Sequence, residues 1–460
     1  MGTKRTKFLN SMSIKRTGIC ALLALAAAGM AACGTDKVEA GVLSETPAGE
    51  EEKADLSIFY SGENTVWISA MEELCEAFSN RYPQYTLQVE YSTGESYTEE
   101  LKAKEATDEF PDVFEIEDPY MFETAGKLGE IDPSIAELTE QPITVNGKIC
   151  ALPFYGTSYG IIYNKVIFKQ YNLSVPETYD DFIALCDELL SLGITPLALG
   201  GSEESASEGW INYFFLTDVE KNNPEWIDRR LNSEVSFRDA DMLGALEHFQ
   251  DLMTGKYILE DSVNMGDTQI ISYMINQEVA MYYGTPAMLA KIWESYPRAM
   301  DSDKTPLGEE LEDDTVRIRP GWFYLPDSDG NSVVIENTGS IWAVSDECMA
   351  DSNKKKAAEA FLKFCYEKDN YRKVLQAMYG MPVTKSAVLY AAPAVQQGVL
   401  TDYRYADRSE EFLGNLETPE NFRIEMTDII NSLASNTIEV NTAARLLDES
   451  WNKATEEQKE

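Results

Sequence analysis

Leu56-Ser57-Ile58-Phe59-Tyr60-Ser61-Gly62 opens the stretch that decides the fold. Behind it come apolar positions Trp67, Met71, Leu74, Cys75 and Phe78, then Tyr85 to Tyr91, a polar segment from Ser96 to Ala106, and Pro111-Asp112-Val113-Phe114-Glu115-Ile116. The first run is a short strand that turns at Ser61-Gly62. The apolar positions recur at helical spacing, so they predict a helix with one buried face. Asn64 or Thr65 would cap it, and Pro83 lies past its end. With strands at Tyr85 to Tyr91 and Pro111 to Ile116 and a polar helix between them, the segment reads β-α-β-α-β, the pattern of an α/β sheet with helices packed on it.

Further along, Gly160-Ile161-Ile162-Tyr163 reads as a strand, and a helix is predicted from Tyr179 to Leu192. Thr178 with Asp181 approximates a capping box, Phe182, Leu185, Cys186 and Leu189 form the buried stripe, and Gly193 ends the helix. Helices at Ala240 to Met253 and Asp267 to Asn276 precede a strand at Val279 to Tyr283, which predicts a second α/β lobe. A third section carries strands at Trp322 to Leu325 and Ile341 to Val344 and a helix from Lys354 to Tyr366; the rest reads mostly helical. There is no internal repeat, and the acidic run Asp301 to Asp314 reads as an exposed loop. Roughly 400 folded residues exceed what one core holds, so two lobes of about 150 to 200 residues are expected.

At the N-terminus Lys4, Arg5, Lys7, Lys15 and Arg16 precede an uncharged run from Gly18 to Ala32 that ends in Met30-Ala31-Ala32-Cys33. The run is too short to span a bilayer and has the layout of a signal peptide over residues 1–32. Small residues followed by cysteine resemble the lipobox of bacterial lipoproteins, which implies lipidation of Cys33 and export of the remainder. From Gly34 to Ala54 the chain is acidic and small, with almost no bulky apolar residue, so residues 33–54 read as a lipidated cysteine and a disordered linker. Past Cys33 no stretch could span a membrane. Without residues 1–32 the chain holds 33 basic against 79 acidic residues, a net of −46. Such a surface repels nucleic acid and anionic lipid and disfavours anionic cargo, although a local cationic pocket could override a field screened beyond roughly 8–10 Å.

Cys75, Cys150, Cys186, Cys348 and Cys365 form an odd, widely spaced set with no C-x-x-C, which is neither a disulfide framework nor a zinc site. Cys75, Cys186 and Cys365 fall on or beside apolar helix faces and read as core. No metal or cofactor is implied. His248 is the only histidine, beside the apolar face of its helix, so H-E-x-x-H chemistry is impossible and triad schemes have a single candidate. No G-x-S-x-G, Walker A loop or G-x-G-x-x-G is present. A glycosidase needs only two carboxylates, so the residue inventory leaves that alternative standing. A surface sensor or adhesin is a third class that the inventory leaves standing.

Asn146-Gly147-Lys148, Leu152-Pro153, Tyr163-Asn164-Lys165, Phe168, Val175-Pro176-Glu177-Thr178 and Gly193-Ile194-Thr195-Pro196 resemble, in order and spacing, the extracellular solute-binding proteins (family 1, carbohydrate type) of ABC importers. Pro111 to Phe114, Ala280 to Gly284, Lys354 to Tyr366 and Gly380-Met381-Pro382-Val383-Thr384-Lys385 extend the resemblance over most of the chain. It implies an α/β, two-lobed, periplasmic-binding-protein-like (type II) fold with a ligand cleft between the lobes. By similarity the chain crosses near Thr157-Ser158, Pro326 to Asn331 and Tyr379 to Pro382. This divides it into a first lobe from 55–157 and 327–380 and a second from 158–326 and 381–460. The implied function is capture of a mono- or oligosaccharide for an ABC permease, by a monomer without enzymatic activity.

A sugar offers apolar C–H faces and a ring of hydroxyls, so aromatic platforms paired with carboxylates or amides suit it. Loops at strand ends here carry Glu63 and Asn64, Glu117 and Asp118, and Tyr155 and Thr157. From the second lobe, Trp210 lies in a Gly/Ser-rich loop, Ser202 to Gly209, where it would serve as a buried platform for a ring, and Tyr283 stands at a strand end. Family members often have a tryptophan two residues after the glycine that follows; here it is Pro286, so Tyr283 or Trp293 would take that role. Trp342 could face cleft or core, Tyr379 lies at the third crossing, and Trp67, Trp226, Trp322 and Trp451 read as structural.

Overall fold

The computed structural model describes residues 53–62, 65–93, 96–199, 205–262, 265–299, 316–386, 388–405, 408–409, 413 and 418–457. The expected signal peptide, Cys33, nearly all of the linker, Glu63, Asn64 and the acidic run 301–314 lie outside these. In chain order the strands are β1 Ala54–Tyr60, β2 Tyr85–Tyr91, β3 Val113–Glu115, β4 Ile143–Val145, β5 Lys148–Ser158, β6 Gly160–Asn164, β7 Thr195–Leu199, β8 Val279–Gly284, β9 Pro320–Phe323, β10 Val334–Val344 and β11 Arg408–Ser409. They form two sheets, β2-β1-β3-β10-β5-β4 with β11 beside β10, and β7-β8-β6-β9. The expected two-lobed α/β architecture is present.

β1 shows how sequence makes the first lobe. Side chains alternate across a strand, so Leu56, Ile58 and Tyr60 enter one core while Phe59 enters the opposite one. The first core is closed by the helix Thr65–Arg81 through Trp67, Met71, Leu74, Cys75 and Phe78, the stripe read from the sequence. Phe78 meets Phe361 and Phe364 of the helix Ser352–Tyr366 at ring distances of 5.2 and 5.4 Å. Fully burying such a ring contributes about 1.5–3 kcal/mol. The opposite face is covered by the helices Tyr97–Ala106 and Pro119–Thr124. In the second lobe the same alternation sends Ile161 of β6 into one core and Ile162 into the other. The capping box of Thr178 and Asp181 is formed, and Gly193 takes the left-handed φ of +75° that ends the helix Tyr179–Ser191.

Three readings are corrected. Ala54, assigned to the linker, is the first residue of β1, because its backbone pairs in register with Tyr85. The strand expected over Ile341 to Val344 is the end of an eleven-residue strand. Its first part carries Asn337, Thr338, Gly339 and Ser340, polar and turn-forming types, yet it is held by pairing with β5, with a bulge between Thr338 and Ile341. Trp210 belongs to the helix Ser205–Phe214 rather than to a loop. All five described thiols are buried and unpaired, and burial pushes the Cys75, Cys186 and Cys348 thiols up to about 12. No helix among the described residues is long and apolar enough to cross a membrane.

The sheets are joined where β5 ends at Ser158 and β6 begins at Gly160, and again where β9 leads through residues 324–333 into β10. Ser158 Oγ and Tyr324 Oη share a 2.8 Å hydrogen bond, and Tyr159 N donates to Ile335 O at 3.1 Å. A turn inside 324–333 is built on Asp327, whose Oδ1 accepts from Asp329 N at 2.9 Å and Asn331 N at 2.8 Å, while Oδ2 accepts from Lys221 Nζ at 2.8 Å. Met381 adds a third tie, exchanging backbone hydrogen bonds of 2.8 and 2.9 Å with Gly156. Just before it, Tyr379 caps the helix Lys368–Met378 at φ +51°, a strained value for a bulky side chain.

Candidate functional site

The ends of β1 and β3, the bulge of β10 and the end of β5 lie along one edge of the first sheet, and Glu115 is their common partner. Its Oε2 accepts from Ser61 N at 2.9 Å and from Trp67 Nε1 at 3.3 Å, and its Oε1 accepts from Ser340 Oγ at 2.6 Å. Burial outweighs these hydrogen bonds and pushes the carboxyl group up to about 7. Close by, the buried Tyr60 hydroxyl has no partner among the described residues. Sequence reasoning missed Glu115 and Ser340. The signal was an acid inside the apolar run Val113-Phe114-Glu115-Ile116, an expensive place for a charge without a task.

Tyr155 crosses this edge. Its ring packs 5.9 Å from that of Trp67, and a Cβ at Gly339 would lie 1.9 Å, and one at Gly380 2.8 Å, from the Tyr155 ring atoms. Both glycines are therefore required for the backbone to approach the ring. Thr157 sits two residues on, half-buried, opposite Asn337 of β10. Beyond β3, exposed Glu117 is hydrogen-bonded by Thr98 Oγ1, and half-buried Asp118 uses Oδ1 to cap the helix Pro119–Thr124 through Tyr120 N and Met121 N, both at 3.1 Å.

On the second sheet, Tyr283 and Tyr159 stack at 5.7 Å, and Trp210 lies 4.2 Å beyond Tyr283. Trp210 is fully buried among Phe182, Tyr213 and Phe214. It thus backs Tyr283 from inside the lobe rather than lining an opening. Trp342, left between cleft and core, is in the core of the first lobe against Phe154 and Phe361. Trp293 meets the strained Tyr379 edge-on at 5.1 Å. The structure therefore places Tyr155, Thr157, Glu117 and Asp118 at the same end of the first sheet, puts Tyr379 beside a crossing, and withdraws Tyr283, Trp210 and Trp342 into cores. Glu63 and Asn64 fall outside the described residues.

Elsewhere a cavity of about 380 Å³ opens between helices of the second lobe, lined among others by Tyr179, Tyr213, Phe214, Asp218 and His248. His248 is exposed there and paired with Asp218 at 2.7 Å. The sheet edges and crossings, not this cavity, gather the residues the sequence singled out.

The family profile described as bacterial extracellular solute-binding protein matches residues 62–372. The multiple sugar-binding protein of Streptococcus mutans is 25% identical over 209 residues, 43% of this chain and 45% of that protein. The melibiose/raffinose/stachyose-binding protein MelE of Bacillus subtilis is 21% identical over 252 residues, 52% of this chain and 58% of that protein. The chain thus spans about half the length of the curated relatives it matches. Among solved structures, a chitin oligosaccharide binding protein superposes with a TM-score of 0.72 at 19% identity, covering 88% of this chain and 99% of that one. The solute-binding protein RafE in complex with raffinose gives 0.66 at 19% identity, covering 88% and 100%. At such identities the shared property is the fold.

Proposed function

The chain belongs to the bacterial extracellular solute-binding protein family, and we propose that within it this protein is a carbohydrate receptor, delivering a mono- or oligosaccharide to an ABC permease without altering it. The observation that carries the reading is that β5, whose last residues include Tyr155 and Thr157, and β3, which leads into Glu117 and Asp118, both pair antiparallel with β10, so that these residues stand at the same end of the first sheet beside the strands that connect the lobes. Ring face and carboxylates together match the C–H faces and hydroxyls of a sugar. Relatives named for melibiose, raffinose and stachyose support the substrate class.

In this proposal Glu117, Asp118, Tyr155 and Thr157 of the first lobe contact the sugar, and the second lobe meets it from the end of β8 that carries the buried Tyr283. Tyr379 and Trp293 flank the crossing, Trp210 backs Tyr283, and Trp342 packs in the core of the first lobe. Lobes drawn from 55–157 with 327–380, and from 158–326 with 381–460, close on the sugar by rotating about the crossings. A ligand that touches both lobes favours the closed state by its difference in affinity for the two. Raffinose, stachyose, a chitin oligosaccharide and a xylo-oligosaccharide form a first panel. At a hundredfold excess over Kd the cognate sugar is expected to add about 2.7 kcal/mol of apparent stability, seen as a raised melting temperature, with a smaller radius of gyration by small-angle scattering. A panel extended to common mono- and disaccharides with no thermal shift would reject the receptor reading, and a shift with unchanged radius would reject closure alone.

The export reading is proposed alongside it, with residues 1–32 removed and Cys33 acylated so that a monomeric receptor is held at the outer face of the membrane. Supporting it are the basic and apolar N-terminus and the small residues before Cys33. Labelled palmitate should enter the wild type and not Cys33→Ala. Label in neither protein would remove the anchor.

A further inference from the structure

Four charged side chains are buried among the described residues. Three have an opposite charge at hand: Asp112 with Lys354 at 2.8 Å, Asp327 with Lys221 at 2.8 Å and Arg230 with Asp448 at 3.1 Å. Glu115 is met instead by an amide, an indole and a hydroxyl. Among the described residues the titratable groups facing it are Glu117 beyond the end of its own strand, Tyr97 from the helix Tyr97–Ala106 and Tyr60 from β1. The helix Thr65–Arg81 presents Trp67 to it, and β10 presents Ser340. None of these is a cation, so the ionised form has no Coulombic compensation for its burial.

The three donors come from three segments of the candidate sugar-binding edge: the turn after β1, the first helix, and the strand that enters from the crossing. Ser61 N and Trp67 Nε1 can only donate, and both address Oε2. Ser340 is the one partner able to reverse, since a hydroxyl donates to an ionised carboxylate and accepts from a protonated one. Protonation at Oε1 therefore keeps all three ties and changes the direction of a single bond, on β10. We propose that Glu115 is a positioning residue for ligand binding, holding the β1 turn, Trp67 and the Ser340 strand in the arrangement that receives the sugar, and taking up a proton from solvent as the lobes close. This rests on the receptor reading above.

The sign follows from desolvation. Closure removes water from the edge, which disfavours the charged carboxylate, so the bound state holds the proton more tightly than the free state. With the carboxyl group already pushed up to about 7 by burial, affinity should be greatest at pH 6 and fall as pH rises. If closure raises it by one further unit, Kd weakens by up to roughly tenfold between pH 6 and pH 8.5.

The experiment is calorimetric titration from pH 6 to 8.5 with raffinose, or with whichever sugar of the panel binds. The wild type should show the rising Kd, and near pH 7 its apparent binding enthalpy should vary with the ionisation heat of the buffer. Glu115→Gln, which mimics the protonated state with its amide donating to Ser340, should give a Kd independent of pH. Intrinsic fluorescence of the ligand-free wild type provides a readout that needs no variant to fold. A transition between pH 6 and 8 is expected, and Trp67→Phe should lose it. Binding with a flat pH profile and no buffer dependence would overturn the role of Glu115 and leave the receptor standing. A folded wild type that binds no sugar at any pH would overturn both, and a binding wild type without the fluorescence transition would overturn the assignment to Glu115.

Discussion

Trp210→Ala is expected to cost about 3–5 kcal/mol of folding stability, more than any effect it has on ligand contacts. The indole is fully buried and packed between Tyr283 and Phe182, Tyr213 and Phe214, so its removal leaves a cavity that these rings cannot fill without moving. Trp210→Phe should cost much less, because a ring remains and the buried indole N–H, which has no partner among the described residues, is removed with the change. Urea denaturation of the three proteins measures the difference. An unchanged midpoint in Trp210→Ala together with lost sugar binding would return this residue to the ligand surface, where the sequence first put it.

The second large effect concerns Asp327. Burial acts to raise its carboxyl group, but hydrogen bonds from Lys221, Asn331 and Asp329 outweigh this and hold it at about 2, well below the ordinary 3.8. Since the folded state binds its proton less readily than the unfolded chain, the stabilisation is present above pH 4 and is lost as pH falls from 3.8 through 2. Nearly two units correspond to about 2.5 kcal/mol at 1.36 kcal/mol per unit. Asp327→Ala should lose about 2–4 kcal/mol at pH 7, since two backbone amides and Asn331 Nδ2 lose an ionised acceptor. The turn is pinned on both sides, by Tyr213 Oη donating to Pro326 O at 2.6 Å and by Tyr179 N donating to Asp327 O at 3.1 Å. Loosening it should therefore speed hydrogen exchange in residues 324–333 as well. The stability gap between wild type and Asp327→Asn should narrow at pH 3, and a gap constant with pH would show that the charge of Asp327 is not what holds the turn.

The sequence was most legible where period and burial agree. Trp67, Met71, Leu74, Cys75 and Phe78 sit on one helix face at 3.6-residue spacing, and no tertiary partner is needed to see it. Thr178 and Asp181 act within one turn of chain. The first part of β10 was illegible for the opposite reason: Asn337 to Ser340 favour a turn by local preference, and the strand exists because a distant segment, β5, supplies its hydrogen bonds. The candidate site mixes both cases. Asp118 was found as an acid after a strand, yet its carboxylate proved also to cap a helix. Trp210 reads as a platform because of the Gly/Ser-rich stretch before it, while its burial depends on Phe182 and Tyr283, far away in sequence. Glu115 was hidden by its neighbours, since an apolar run reads as core whatever single acid it contains.

The place of β10 in the first sheet, between β3 and β5, imposes an order on maturation. β3 and β5 are made early, but the strand that must lie between them begins only at Val334. A chain emerging end first, from a ribosome at ~5–20 residues per second, would wait on the order of 10–30 s between the two. For that time the facing backbone edges of β3 and β5 have no native neighbour, and such edges recruit foreign strands. Neither lobe can serve as an early, finished template for the other. Quality control of this protein should therefore act on the nearly complete chain, and truncations that stop before residue 344 should be found with chaperones or in aggregates rather than as a small folded first lobe.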